Sequence, residues 1–235
     1  MAKHISHQTM TVARTAHYST YGSLNKETTK YIWVVMHGYG QLARNIINKF
    51  DKLDPEEHFV IAVEGLNRFY WHNEDRDPVA CWMTKEDRYD EIHDFTRYLD
   101  QVYQRYASHV NQDSVEFILL GFSQGCATMW RWIHASQPHY DIAINWAGWI
   151  PEDLSYRHLD DYLSDKEHHL WYGDDDRFMT DKAIGDIKKV IESNDLSVRI
   201  EKFSGGHKIV RSEFMRFINT YILSLIHISE PTRPY

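Results

Sequence analysis

Ser123 stands in Gly121-Phe122-Ser123-Gln124-Gly125, a G-x-S-x-G pattern. That spacing suits a nucleophilic serine on a sharp turn between a strand and a helix, with its Oγ pushed above the sheet. Glycine is called for two residues to either side, because a Cβ there would run into the adjoining strand or helix. The apolar run SVEFILL precedes the pattern and QGCATMWRWIHA follows it, so the strand-turn-helix context is legible. A helix N-terminus at this place also brings free N–H groups and a positive dipole end to the Oγ.

Such a serine needs a base, a carboxylate to orient the base, and donors for the oxyanion. Met36-His37-Gly38-Tyr39-Gly40 ends an earlier apolar run, and its small-residue turn can aim a backbone N–H at the serine. The candidate donors are therefore the N–H groups of Tyr39 and of Gln124, each capable of lowering the barrier by a few kcal/mol. His37, inside the turn, reads as a hydrogen-bonded structural residue. Among 15 histidines, His207 stands apart: it follows Ser204-Gly205-Gly206 and is read as opening the last helix. As a base it must be neutral, so activity is expected to rise with pH as it deprotonates. For the acid, the run HLWY leads into Gly173-Asp174-Asp175-Asp176, and three aspartates compete. They cannot all be buried as anions, because like charges close together are costly. The residues alone do not choose among them.

Positioning these groups requires a sheet. Lys30–Met36, His58–Val63, Ser114–Leu120, Ile142–Trp146, His169–Tyr172 and Ser197–Phe203 read as strands, several nearly continuous in apolar residues, as in strands buried on both faces. Helices are expected over Gln41–Leu53, Glu86–Ala107, Gln124–Gln137, Thr180–Ser193 and His207–Ser224. Strand alternating with helix implies a parallel sheet covered on both faces. Two long connections, 64–85 and 147–168, leave from the edge where ligands bind in such sheets. The first carries Phe69, Tyr70, Trp71 and Trp82, candidate walls of a modest apolar pocket. Core packing is the competing role for these rings.

The chain has 235 residues, 43% hydrophobic and 26% charged, which suits one globular domain, taken as residues 1–226. A formal net charge of −8 disfavours nucleic acid and anionic membranes as partners. Two cysteines, Cys81 and Cys126, match neither a disulfide scaffold nor a zinc spacing, so a reducing cytoplasm is expected. No run reaches the length of a membrane span, and the first fifteen residues lack a signal-like apolar stretch. Residues 227–235 have two prolines and no periodicity, and read as a non-native or disordered tail. A homodimer is a further expectation, because Trp149 and Ile150 read as exposed apolar residues.

In order along the chain stand HGYG, GFSQG, YGDDD and GGH. Together they resemble the phospholipase/carboxylesterase family of small α/β-hydrolases, which includes the acyl-protein thioesterases. The resemblance spans roughly residues 30–222 and implies an α/β-hydrolase fold without a large cap domain. Ser123 and His207 fall on the family's nucleophile and base, and Asp176 on its acid, the second Asp of a Gly-Asp-x-Asp turn. Tyr39 and Gln124 fall on its oxyanion positions. Cys81-Trp82 is similar to an Ala-Trp pair, which implies that Trp82 lines the pocket. The chain departs from the family at Tyr39, where Leu is common, at Gln41, where Asp is frequent, and at Arg177-Phe178-Met179, where a Pro-apolar-Val run is usual. Phe178 and Met179 are thereby further candidates for the acyl-side lining. The implied activity is ester hydrolysis on a small-molecule substrate with neither metal nor cofactor, and the modest aromatic pocket of Phe69, Tyr70, Trp71 and Trp82 points to short or medium acyl chains. A lysophospholipase, an acyl-protein thioesterase and a peptidase are the alternatives within hydrolases. A catalytically silent binding protein on the same fold is the alternative outside them.

Overall fold

A computed structural model describes residues 5–71, 75 and 77–222. The expected tail at 227–235 lies outside the described residues. Nine strands are described: β1 Tyr18–Tyr21, β2 Tyr31–Met36, β3 His58–Val63, β4 Asn67–Phe69, β5 Val79–Cys81, β6 Glu116–Phe122, β7 Ile142–Trp146, β8 Glu167–Gly173 and β9 Arg199–Phe203. Seven of them form one sheet in the order β1-β3-β2-β6-β7-β8-β9, while β4 and β5 pair as a separate antiparallel hairpin. Only β1 runs antiparallel in the large sheet, against β3. The others are parallel, as the buried apolar runs required.

The centre of the sheet is buried from both sides. Every residue of β2, β3 and β7 is buried, and β6 is buried beyond its first residue. Helices α1 Ala43–Ile46, α2 Arg88–Ala107, α3 Gln124–Ser136, α4 Asp160–Leu163, α5 Asp181–Ser193 and α6 Arg211–Phe217 connect the strands. Thr180 caps α5 by accepting from Ala183 N–H. Aromatic residues fill much of the core: Trp33, Phe50 and Phe214 meet edge-on, and Trp146 stacks on Trp171.

Several elements differ from the sequence reading. Gln41–Leu53 is not one helix: Gln41 is held by a bridge to Ala80, Leu42 is extended, and only one α-turn and a 3₁₀ turn follow. The β6 strand starts two residues later than expected, because Asn111 caps a 3₁₀ turn over Gln112–Ser114. The last helix begins at Arg211, not at His207. The Trp146 indole N–H donates to Lys208 O (3.0 Å), which keeps that stretch of chain against β7. Ile150 is buried, so the exposed apolar pair expected with Trp149 is reduced to Trp149 alone. The connection 147–168 holds only the 3₁₀ turn Arg157–Leu159 and α4.

Candidate active site

The parallel strands β2, β6, β7 and β8 all end at one edge of the sheet, and the candidate residues follow those ends. Ser123 comes immediately after β6 and immediately before α3, with φ +53° and ψ −116°. A non-glycine residue rarely adopts that conformation, so the turn is strained. Its neighbours impose it. A Cβ on Gly121 would press on the Cys126 backbone in α3, and one on Gly125 would run into Met36 O at the end of β2. Gly125→Ala is therefore expected to destabilise the protein by roughly 1–3 kcal/mol or more. A urea midpoint equal to that of the parent chain would contradict this close approach.

The Ser123 Oγ is 2.9 Å from His207 Nε2, and His207 Nδ1 is 2.7 Å from Asp176 Oδ2. A carboxylate oxygen accepts, so Nδ1 carries the hydrogen and Nε2 is left to accept from the serine hydroxyl. The other Asp176 oxygen accepts from the N–H groups of Phe178 (2.9 Å) and Met179 (3.3 Å). The Asp176 side chain is fully buried, while that of His207 is 19% exposed. The two other aspartates behave differently. Asp174 is exposed and accepts from Gly205 N–H (2.9 Å), which ties the acid turn to the glycine turn before His207. Asp175 is exposed, and among the described residues only its backbone N–H is engaged, donating to Gly205 O (3.0 Å). The His207 ring lies between Phe122 (5.2 Å) and Phe178 (4.6 Å, edge-on).

On the other side of Ser123 lies the turn after β2. A Cβ built on Gly38 would sit 3.2 Å from Ser123 Cβ, so the turn passes directly beside Ser123. Gly38 N–H donates to Gln41 Oε1 (3.0 Å) and Gly40 N–H to Ala80 O (2.8 Å). The Tyr39 N–H between them has no acceptor among the described residues. Gln124 opens α3, so its N–H has no partner within the helix. Its side chain is used elsewhere: Nε2 donates to Met83 O (2.8 Å) and Oε1 accepts from Trp82 N–H (3.0 Å). His37 is fully buried, donates from Nδ1 to Gly38 O (2.7 Å), and accepts from Gly65 N–H at Nε2 (2.9 Å). Burial holds its pKa down at about 4, so it serves as a neutral brace for the turn.

The expected pocket residues divide. Trp82 is buried against His37 and Phe95, with its indole N–H donated to His37 O (2.8 Å). Met179 is also buried. Tyr70, Trp71 and Phe178 are half exposed, and Phe69 partly so. Tyr39 joins Phe69 and Trp71 in one ring cluster, with centroids 5.1 and 5.4 Å away. The sequence reading gave Tyr39 an oxyanion N–H and marked its side chain, set where Leu is common, as a change on the acyl side; the ring contacts with Phe69 and Trp71 are what the structure adds. Two cavities, of about 760 and about 520 Å³, are lined without Ser123, Asp176 or His207; Trp82 borders the first and Trp149 the second. Among the described residues no group of three or more His, Cys, Asp or Glu is arranged to hold a metal ion, and no helix is long and apolar enough to cross a membrane.

A seven-stranded, mostly parallel sheet with a serine on the turn after a central strand defines the α/β-hydrolase fold. The sequence profile described as Phospholipase/Carboxylesterase matches residues 23–226, and the chain belongs to that family of hydrolases. Solved structures agree on the fold. Acyl-protein thioesterase 2 of Zea mays is 16% identical with a TM-score of 0.69, over 90% of this chain and 100% of that one. The Bacillus cereus carboxylesterase is 14% identical with a TM-score of 0.61, over 88% and 93% of the two chains. SOBER1 of Arabidopsis thaliana is 14% identical with a TM-score of 0.61, over 84% and 100%. Comparison with curated proteins returns no match.

Proposed function

We propose that the chain is a serine carboxylesterase that hydrolyses short- to medium-chain acyl esters through Ser123, His207 and Asp176. The observation that carries this reading is the continuous hydrogen-bond chain from Ser123 Oγ through the His207 ring to Asp176. Ser123 Oγ attacks the ester carbonyl while its proton passes to His207 Nε2. The carbonyl oxygen, now negative, takes hydrogen bonds from the Tyr39 and Gln124 N–H groups, which lower the barrier by a few kcal/mol each. His207 then gives its proton to the departing alcohol oxygen, leaving an acyl-serine. A water molecule, deprotonated by the same nitrogen, attacks the acyl-serine; the acid leaves and Ser123 recovers its proton. Asp176 keeps the ring in the reactive tautomer and stabilises its charged form.

A fluorophosphonate probe is expected to attach at Ser123 in the folded protein and not after Ser123→Ala. Labelling that survives the substitution, or attaches at another residue, would overturn the reading. A series of 4-nitrophenyl esters is expected to peak among the short and medium chains, and a maximum at palmitate would contradict the chain-length part. The same series run as thioesters and lysophospholipids separates the carboxylesterase from its alternatives.

A further inference from the structure

Five large rings stay about half exposed: Tyr39 (46%), Tyr70 (50%), Trp71 (50%), Trp149 (43%) and Phe178 (48%). Outside the N-terminal segment, Tyr89 is the one other large apolar side chain so exposed among the described residues. Exposed rings that pack on one another, as Tyr39 and Trp71 do, mark a contact surface. Trp149 follows Gly148, whose backbone lies against Ser123 O and Cys126. Phe178 meets the His207 ring edge-on. Tyr39, Phe69 and Trp71 form the opposite wall, with Trp71 lying over Gly40.

We infer that the Tyr39–Phe69–Trp71 wall is an acyl-group subsite selective for planar aromatic acyl groups. The inference rests on the serine reading, because that reading orients the substrate. The leaving oxygen must reach His207 Nε2, on the side of Phe178. The carbonyl oxygen must reach the Tyr39 N–H, and the acyl group on the same carbon then comes within reach of the Tyr39 side chain and the rings behind it. Those rings stand at 73° (Tyr39 to Trp71) and 42° (Tyr39 to Phe69), so the cluster offers faces and edges together. Aromatic quadrupoles reward a flat aryl partner in offset or edge-on contact. A saturated group of equal size gains only the area it buries.

The decisive comparison uses 4-nitrophenyl phenylacetate and 4-nitrophenyl cyclohexylacetate, which share a leaving group and differ in the aromaticity of the acyl ring. After normalising to the uncatalysed rates, kcat/KM is expected to favour phenylacetate by about tenfold. Phe69→Leu and Trp71→Leu are each expected to cut that ratio by about threefold or more, while Trp71→Phe keeps most of it. Equal kcat/KM for the two esters, or a ratio untouched by both leucine variants, overturns the inference while leaving the serine reading intact. Hydrolysis of both esters that persists in Ser123→Ala overturns the serine reading, and the subsite with it. Circular dichroism of each variant confirms that the ratio is read on folded protein.

Discussion

Ser123→Ala is expected to lower kcat for a simple activated ester by a factor on the order of 10⁴–10⁶, the scale seen when a triad nucleophile is deleted. Asp176→Asn should cost about 10³–10⁴ with the fold intact, because an amide cannot hold the His207 ring in the tautomer that accepts from Ser123. The neighbouring aspartates supply the internal control. The exposed Asp175 offers only its backbone to the structure, so Asp175→Asn should leave kcat within a few-fold of the parent. Asp174 accepts from Gly205 N–H in the turn that delivers His207. Its asparagine variant keeps an acceptor there and should lose far less than Asp176→Asn. Single-turnover kinetics on the four variants read these differences directly. An Asp175→Asn variant as impaired as Asp176→Asn would mean that the acid has been misassigned.

A second large effect is expected in acid. His37, His58, His168 and His169 are all buried, and burial lowers each from the usual 6.5 to about 4. At three of them one ring nitrogen already accepts a hydrogen bond that protonation would break, while the bonds His37 and His168 donate to Gly38 O and Ser197 O pull the other way without overcoming burial. His37 takes the Gly65 N–H, His58 the Trp33 indole N–H (3.1 Å), and His168 the Tyr140 hydroxyl (2.9 Å) while donating to Ser197 O. In the unfolded chain all four bind protons below pH 6.5, whereas the folded chain refuses them until about pH 4. Their contribution is thus fully present above pH 6.5 and is lost as pH falls toward 4. Each refused proton costs about 1.4 kcal/mol per pH unit in that window. Four of them together can consume a typical stability of about 5–15 kcal/mol before pH 4 is reached. Glu116 works in the opposite direction: burial first, then the nearby Asp141 and Glu167, raise it to about 7. Its stabilising effect is present at low pH and is lost as pH rises through about 7, so it offsets part of the loss. Calorimetric Tm values are expected to fall steeply from pH 6.5 to 4.5. A Tm that stays level across that interval would refute the account. Loss of activity in acid then includes unfolding, so Tm is followed alongside the rate.

The Ser123–His207 pairing was legible because local sequence constrains it. Glycines flank Ser123 and precede His207, and the apolar strand β6 leads into the Ser123 turn. The acid was different. Asp174, Asp175 and Asp176 share one local sequence, and only the family resemblance favoured the last; in three dimensions its side chain is the buried one beside His207. β1 escaped notice because a four-residue edge strand, YSTY, has no buried alternation. The β4–β5 hairpin was hidden inside an aromatic connection, and its three-residue strands are too short for a period to show. Ile150 looked exposed beside Trp149, yet its burial is set by tertiary packing that adjacent residues do not encode.

Gln124 has a consequence for how such a site can diversify. Its side chain joins the start of α3 to the main-chain atoms of Trp82 and Met83 on the far side of the connection that carries Phe69, Tyr70 and Trp71. Contacts to main-chain atoms are indifferent to what side chain the partner bears. Residues between the hairpin strands can therefore be exchanged, lengthened or recoloured by mutation while the nucleophile keeps its anchor. Selectivity and reactivity are in this sense separately inheritable: lineages can drift through acyl preferences along one rim without first relearning the chemistry at its centre.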